Sequence, residues 1–342
     1  MTNGRSVSDS TPKLHARVCL TMSFSFNFLP DSHDEGLKST LSNSEAVKQQ
    51  GTGEMTASTP FREVLLSADY DASRLTFDTL AFANDSFSLN KIDVVSLQAR
   101  EDAFSQEMDI PIHSDLVPGK YGGGFKVWEC SIDLVEYILS NEWYTAFLQA
   151  TTNGDINGEG GSSTSMSLSE SLENRTVLEL GCGHGLPGLA CLLQGAQQVI
   201  FSDLNYQVLE DVTWPNILLN CRDTEADKMH RCQCIGGDWS ALTTKLQTAQ
   251  QKIHLILSAE TIYTKENCSI LLNLIVNCLS EDGLAILATK RYYFGVGGGS
   301  SDLANLIQEQ YPTLLCHQVA SFQDGKSNIR DILVVKFYVN KK

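Results

Sequence analysis

From residue 176 onward, short apolar segments alternate with amphipathic segments of helical spacing, and this alternation restricts the fold more than any other feature. It is typical of β-α-β units, whose parallel strands form one sheet covered by helices on both faces. The predicted strands are 177–180, 199–203, 232–236, 253–258, 284–290 and 332–339. The predicted helices between them include 187–194, 207–220 and 266–279, and an earlier amphipathic helix is predicted over 131–149. We therefore expect an α/β protein with a mostly parallel sheet.

The chain divides into two parts of different composition. Residues 1–110 are rich in Ser, Thr, Asp and Asn, and apart from short apolar pieces at 61–66 and 77–89 they lack sustained periodicity. We predict a low-complexity, largely disordered N-terminal region there. Residues 115–342 form the predicted folded domain. Its Gly/Ser/Asn-rich stretch at 151–173 is typical of a flexible insertion.

The charge balance limits the class of partner. The sequence has 41 acidic and 25 basic side chains and a formal net charge of −16. A phosphate backbone needs a basic surface, so we expect no direct binding of nucleic acid, and a basic protein partner fits better.

The cysteines and the apolar runs exclude other classes of protein. The 10 cysteines are scattered, and the Cys232/Cys234 pair lacks further ligands at metal-site spacing. We predict reduced thiols, no metal site, no membrane span, and a monomer in the cytoplasm and nucleus.

A glycine-rich loop follows the first strand of the predicted sheet. Gly183, Gly185 and Gly188 fit the G-x-G-x-x-G pattern of dinucleotide-binding loops. Gly181, Gly183 and Gly185, preceded by Glu179, equally fit the E-x-G-x-G-x-G loop of adenosylmethionine enzymes. A carboxylate beside the loop suits the ammonium of a methionine group and opposes a pyrophosphate, which favours adenosylmethionine over NAD. A tight strand–helix turn without a ligand is the third interpretation.

Polar residues follow the other predicted strands. Asp203 lies about 20 residues after the first loop glycine, the offset of a ribose-binding acid, although it also fits a helix N-cap. Residues 237–239, Gly-Asp-Trp, fit an adenine contact or an ordinary turn. Glu260 and Tyr263 lie over the sheet, where a transferred methyl group would be. Alternatively, Glu260 caps a helix or is solvated, and Tyr263 packs in the core.

Four segments together resemble a known family, the histidine protein methyltransferases. They are Gly123-Gly124-Phe125-Lys126-Val127-Trp128-Glu129-Cys130, residues 178–183, residues 258–263, and Tyr293-Phe294-Gly295-Val296-Gly297-Gly298-Gly299. The last is the most specific, because a general adenosylmethionine fold does not require it. The resemblance extends from about Asp115 to the C-terminus. The wider group also contains protein-lysine methyltransferases.

The resemblance implies a fold and an activity. The fold would be a Rossmann-like, seven-stranded, mostly parallel sheet with helices on both faces. The activity would be S-adenosyl-L-methionine-dependent methylation of a protein histidine, on the imidazole nitrogen farther from the backbone (tele), in a large-subunit ribosomal protein. The alternatives are a protein-lysine methyltransferase of the same group and a non-catalytic, chaperone-like binder of basic proteins.

The resemblance also implies roles for individual residues. Residues 127–131 would line the cofactor, Gly181 would contact its methionine part, 203–205 its ribose and 237–239 its adenine. The predicted cofactor-binding residues are Val127, Trp128, Glu129, Cys130, Ser131, Glu179, Gly181, Gly183, Asp203, Leu204, Asn205, Gly237, Asp238, Trp239 and Ser258. For catalysis we predict Glu260, which would accept the second imidazole N–H of the substrate, and Tyr263, which would shape the pocket. Glycines 297–299 fit either a wall of the substrate site or a surface loop.

Overall fold

The computed structural model describes residues 62–64, 76–111, 114–117, 120–143, 167–221, 227–323, 325 and 328–338. Its first elements are β1 (Arg62–Glu63), β2 (Phe77–Phe82), β3 (Phe87–Ile92), α1 (Val94–Glu107), α2 (Glu129–Leu139) and α3 (Leu168–Leu172). There follow β4 (Thr176–Leu180), α4 (Leu186–Leu193), β5 (Gln198–Asp203) and α5, which runs as Tyr206–Val208, Leu209–Thr213 and Trp214–Cys221. The remainder is α6 (Asp227–His230), β6 (Cys232–Gly236), α7 (Trp239–Thr248), β7 (Ile253–Ala259), α8 (Lys265–Cys278), β8 (Leu279–Lys290), α9 (Ser300–Gln310), β9 (Leu314–Phe322) and β10 (Arg330–Phe337).

One sheet with the order β1-β6-β5-β4-β7-β8-β10-β9 forms the centre of the molecule. β4, β5, β6, β7 and β8 pair in parallel, whereas β10 is antiparallel to both β8 and β9. Seven strands thus form the expected mostly parallel sheet, and the two-residue β1 extends its edge. All six strands predicted from periodicity are present. The missed strand, β9, lies at the opposite edge, where half-exposed polar side chains hide the strand pattern.

Helices cover both faces of the sheet, because successive side chains of each buried strand point to opposite sides. In β4, Val177 faces a core formed with α2, α4 and α5. Leu178 and Leu180 face a second core formed with α7, α8 and α9. The α/β prediction is therefore confirmed.

The N-terminal region is more ordered than predicted. Residues 77–107 form the β2–β3 hairpin and α1, so the prediction of disorder does not hold there. Two asparagines of α5 hold β3: Asn216 Oδ1 accepts the backbone N–H of Ile92 at 2.7 Å, and Asn220 Oδ1 accepts that of Asn90 at 2.8 Å. Contacts between residues so far apart in the chain leave no trace in local periodicity, which explains the error. Residues 1–61 lie outside the described part.

Two predicted helices have different limits in the structure. The helix predicted over 131–149 ends at Leu139, and residues 144–149 lie outside the described part. Most of the insertion predicted over 151–173 also lies outside it, and residues 168–172 at its end form α3.

The helix predicted over 207–220 contains a π-helical segment at Leu209–Thr213. We attribute the π-helical segment to Pro215, which has no N–H to donate to the carbonyl of Asp211. The guanidinium of Arg100 donates to that carbonyl instead, at 3.2 Å.

Candidate functional site

The carboxyl ends of β4, β5, β6 and β7 meet at one edge of the sheet. Leu180 is level with Ser202 and Ser258 on its two neighbours, and Asp203 is level with Gly236. The segments that follow these strands, 181–185, 203–205, 237–239 and 258–263, therefore lie side by side. In parallel α/β sheets this edge is where ligands bind.

The glycine loop after β4 needs its glycines. Gly181, Gly183 and Gly185 have φ values of 60°, 50° and 69°, which side chains rarely tolerate. A Cβ on Gly181 would also lie 2.5 Å from the γ-methyl group of Thr261. The Thr213 hydroxyl in the π-helical part of α5 donates to the Gly183 carbonyl at 2.6 Å, which holds the loop against α5.

Glu179 supports this loop from behind. Its Oε2 accepts the backbone N–H of Gly188 in α4 at 2.7 Å, and the residue is buried. Burial raises the pKa of the Glu179 carboxyl to about 8. The predicted contact with a methionine ammonium stays a prediction; in the structure the carboxyl group lies between sheet and helix, where it fixes the start of α4.

Asp203 and Asn205 lie beside the loop as predicted. The Asp203 carboxylate accepts the backbone N–H groups of Gly183 and Asn205, each at 3.1 Å. Burial raises the pKa of the Asp203 carboxyl to about 6. Asn205 contacts the segment that precedes α2: its side chain donates to the Lys120 carbonyl at 2.7 Å and accepts the Gly122 N–H at 3.2 Å. Leu204 lies between the two and is half-buried.

The turn after β6 carries the carboxylate of Asp238, a hydrogen-bond acceptor. Asp238 Oδ1 caps α7 by accepting the Ala241 N–H at 2.9 Å. Its other oxygen, Oδ2, is buried and has no hydrogen-bond partner in the described part of the chain. Gly237 N–H donates to the Asp203 carbonyl at 3.0 Å, which ties this turn to the neighbouring one, and Trp239 starts α7. A carboxylate at the ribose position and an unpartnered acceptor at the adenine position fit the adenosine of the predicted cofactor.

Residues 120–128, here named the crossing segment, pass over the glycine loop. His184 Nε2 contacts the Phe125 carbonyl at 3.0 Å, and a Cβ on Gly183 would lie 3.1 Å from the Gly124 carbonyl. Burial lowers the pKa of His184 to about 4, so its ring is neutral at pH 7 and its Nε2–H donates. His184 carried no predicted role, although its place between two loop glycines was a signal.

Residues 127–131 join the crossing segment to α2. Trp128 Nε1 donates to the Gly123 carbonyl at 3.0 Å, and the Ser131 hydroxyl donates to the Trp128 carbonyl at 2.6 Å. The Cys130 side chain packs in the core, as Val127 partly does. The Glu129 carboxylate lies 3.5 Å from the guanidinium of Arg330, and the cofactor contacts predicted for Glu129 and Cys130 stay predictions.

Glu260 belongs to a buried group of charges that we name the ionic cluster; its members are Glu129, Asp133, Glu260, Lys290 and Arg330. Glu260 Oε2 lies 2.9 Å from Lys290 Nζ, and the two side chains are 2% and 7% exposed. Glu260 Oε1 accepts the backbone N–H of Cys130 at 3.3 Å. Arg330 Nε lies 2.6 Å from Asp133 Oδ2, and Arg330 Nη1 contacts Glu129.

One oxygen of Glu260 is thus hydrogen-bonded, and the other forms an ion pair with Lys290 that lacks hydrogen-bond geometry. Its catalytic role stays a prediction, and the geometry favours a positioning role. Lys290 and Arg330 were not predicted from the sequence. For Lys290 the signal was its place at the end of a predicted strand.

Aromatic side chains lie next to the ionic cluster. The rings of Tyr263 and Tyr293 meet edge-on at 6.4 Å, and the Ser258 and Thr261 hydroxyls are hydrogen-bonded to each other. We name residues 291–299 the aromatic loop. Its base is fixed by the Gly299 N–H, which donates to the Ile262 carbonyl at 2.7 Å. Its outer face carries apolar side chains that are 51%, 84% and 37% exposed, those of Tyr292, Phe294 and Val296.

Comparisons with known proteins identify the family of this chain. The model of a family described as lysine methyltransferase matches residues 104–295. A histidine protein methyltransferase 1 homolog from Dictyostelium discoideum is 36% identical over 227 residues, 66% of this chain and 62% of that protein. A homolog of the same name from Bos taurus is 31% identical over 219 residues, 58% of this chain and 52% of that protein. The resemblance to histidine protein methyltransferases is thus confirmed.

A solved structure of magnesium protoporphyrin IX methyltransferase from Synechocystis PCC 6803 with bound SAH aligns at 11% identity and a TM-score of 0.37. The alignment covers 62% of this chain and 89% of that one.

This chain spans 62% and 52% of the length of the two curated relatives. In the described part of the chain, no helix is both long enough and apolar enough to cross a bilayer.

Proposed function

Since this chain belongs to the methyltransferase family whose model matches residues 104–295, we propose that it is an S-adenosyl-L-methionine-dependent protein-histidine N-methyltransferase. Its proposed substrate is a histidine of a large-subunit ribosomal protein, methylated on the tele nitrogen. The observation that carries the proposal is the meeting of the glycine loop, Asp203 and the unpartnered Asp238 Oδ2 at one edge of the sheet. The NAD alternative loses its support, because the matching family is one of methyltransferases.

The residues of the site have distinct tasks. In this proposal Asp203 would accept the ribose hydroxyls, and Asp238 Oδ2 would accept the adenine amino group. The crossing segment covers the glycine loop and excludes water from the transfer. Glu260 fixes the first turn of α2 through the Cys130 N–H and holds Lys290. Tyr263 and the buried Tyr293 form an aromatic wall.

When bound at this edge, adenosylmethionine would supply a methyl group carried on a sulfonium. The acceptor nitrogen would form the new bond to that methyl group, the electron pair of the broken bond would stay on sulfur, and the imidazolium proton would pass to water. The protein has to align the acceptor and exclude water rather than provide a strong base. An imidazole with a pKa near 6.5 is mostly neutral at pH 7, so its nitrogen can attack directly.

Charge and surface support a basic protein substrate. A net charge of −16 favours association with a basic partner such as a ribosomal protein. The exposed side chains belong to the same loop as Tyr293, whose ring contacts Tyr263, and we assign to them the contact with the chain that flanks the acceptor residue.

Methylation of lysine is the second candidate, because the matching family model is described as lysine methyltransferase. The two chemistries differ in the proton that precedes attack. A lysine with a pKa near 10.4 must lose a proton first, so its methylation should accelerate steadily toward alkaline pH. Histidine methylation should level off above about pH 7, once the imidazole is neutral.

The test uses purified protein, methyl-labelled adenosylmethionine and the proteins of the large ribosomal subunit. After hydrolysis the labelled amino acid is identified. Labelled tele-methylhistidine is the expected result. Labelled methyllysine would move the activity to the second candidate. Cofactor binding without any label would favour a binding role, and absence of cofactor binding would refute the enzymatic proposal.

A further inference from the structure

The ionic cluster pairs carboxylates with cations of the protein beside the proposed acceptor site. Each of its three carboxylates lies within 3.5 Å of a cation: Glu260 at Lys290, and Asp133 and Glu129 at Arg330. Burial raises the pKa of Asp133 to about 6 despite its contact with Arg330. Glu260 thus has a cation of its own, whereas Asp133 and Glu129 share one, and a second ammonium group entering beside Glu260 would find that carboxylate already paired.

Lys290 is the cation that pairs with Glu260. It is the last residue of β8, and Glu260 follows β7, so the pair sits at the edge of the sheet where the cofactor site lies. The Lys290 Nζ is 5.6 Å from the centre of the Trp128 ring and 5.9 Å from that of Tyr293. An ammonium between a carboxylate and two aromatic faces is also the arrangement that would recognise a substrate lysine. Here a residue of the protein itself occupies it.

Lysine and histidine acceptors differ in the charge that they carry when they enter the site. At neutral pH a lysine side chain arrives as a cation, whereas a histidine arrives mostly neutral. A cation that enters a buried site without a counter-charge pays a large desolvation cost, which a neutral imidazole avoids. Pairing of Glu260 with Lys290 therefore penalises lysine more than histidine.

We propose that Lys290 is a specificity-determining residue: it neutralises Glu260, so that the site takes a neutral imidazole and rejects a protonated lysine side chain. This inference rests on the proposed function. It assigns to Lys290 a role in the choice of acceptor and none in the transfer itself.

The test compares wild-type protein with Lys290→Met. The wild-type protein first identifies the acceptor protein among large-subunit ribosomal proteins. Two versions of that protein, with His or with Lys at the acceptor position, then compete for labelled methyl groups. Lys290→Met exposes an unpaired Glu260 carboxylate, and we expect the ratio of methyllysine to methylhistidine to rise by about tenfold or more. Calorimetric titration of the two versions should show the same shift in their relative affinities.

Controls separate specificity from folding. Lys91→Met removes another buried lysine, 2.8 Å from Asp78 in the β2–β3 hairpin, and should leave the ratio unchanged. Glu260→Gln, which keeps Lys290 and removes the carboxylate, should not increase lysine methylation. The Glu260→Gln variant still tests the proposal if Lys290→Met fails to fold.

Two outcomes would overturn the inference. The first is an unchanged ratio in folded Lys290→Met, with wild-type protein still producing methylhistidine; the proposed function would then stand without this role for Lys290. The second is a Glu260→Gln variant that methylates lysine better than the wild-type protein. Wild-type protein that itself produces methyllysine would refute both the inference and the histidine assignment.

Discussion

Asp238→Asn separates the two tasks that the structure gives to one carboxylate. Oδ1 caps helix α7 through the Ala241 N–H, and Oδ2 is buried without a partner in the described residues. Asparagine caps helices about as well as aspartate, so its Oδ1 can keep the first task. Its amide nitrogen would replace Oδ2 and present a donor where an adenine amino group needs an acceptor.

The expected magnitudes follow from these contacts. A hydrogen bond to a charged group contributes about 1.5–3 kcal/mol, so its loss should weaken cofactor binding roughly 10- to 150-fold. The free energy of unfolding without cofactor should change by less than about 1 kcal/mol, because the cap is retained. Affinity would thus fall steeply while stability hardly changes.

Calorimetric titration with S-adenosylhomocysteine measures the affinity, and denaturant unfolding measures the stability. Asp238→Ser also keeps a capping oxygen and should lose the same affinity. Asp93→Asn changes the N-cap of α1, whose carboxylate accepts the Val95 and Ser96 N–H groups, and should leave the affinity unchanged. An inosine analogue, which has a carbonyl in place of the amino group, should prefer Asp238→Asn to wild-type protein. Wild-type affinity in Asp238→Asn would refute the adenine assignment.

Three further predictions test other parts of the site. Gly124→Ala would place a Cβ 2.6 Å from a valine side chain of α5, and we expect about tenfold weaker cofactor binding by titration, whereas Gly122→Ala, with no atom within 4 Å, should bind normally. Glu179 has a pKa of about 8 when folded and an ordinary value of 4.5, so the folded state retains a proton that the unfolded state has lost, and stability falls as pH rises through this range. Glu179→Gln keeps an acceptor for the N–H of α4, and denaturant unfolding should show a fall between pH 5 and pH 8 that is smaller by roughly 3 kcal/mol. Phe294→Ala should raise the KM for the protein substrate about fivefold without changing cofactor affinity or stability, while the exposed Phe77→Ala in β2 should have no effect on steady-state kinetics.

The sequence predicted the sheet and the cofactor edge well because both depend on local signals. Strands buried on both faces are continuous apolar runs, and the residues after them are the ones that face the ligand edge. Asp203 and Asp238 were found in this way, and the structure places both where they were expected. The contact of Glu179 with Gly188 was not predicted, because alternation along β4 turns its side chain under α4, and a motif does not reveal which face a residue occupies.

The ionic cluster was not predictable from local pattern. Arg330 and Asp133 are almost two hundred positions apart, and their contact depends on β10 lying antiparallel to β8 beside α2. Glu260 was identified from its position, but its partner Lys290 was not, so the sequence suggested a carboxylate available to the substrate. The structure shows that carboxylate already paired.

The N-terminal elements, which the sequence predicted least well, are the ones that hold the cover of the cofactor site. Phe104 of α1 packs at 5.3 Å against both Tyr121 and Phe125 of the crossing segment, and the same cluster includes Ile92 of β3 and Val208 of α5. The crossing segment is in turn bonded to the glycine loop through His184 and to β5 through Asn205. Binding of a cofactor beneath the crossing segment would therefore depend on contacts that begin in the β2–β3 hairpin and α1. It follows that removing β3 and α1 should weaken cofactor binding in a protein whose central sheet still folds.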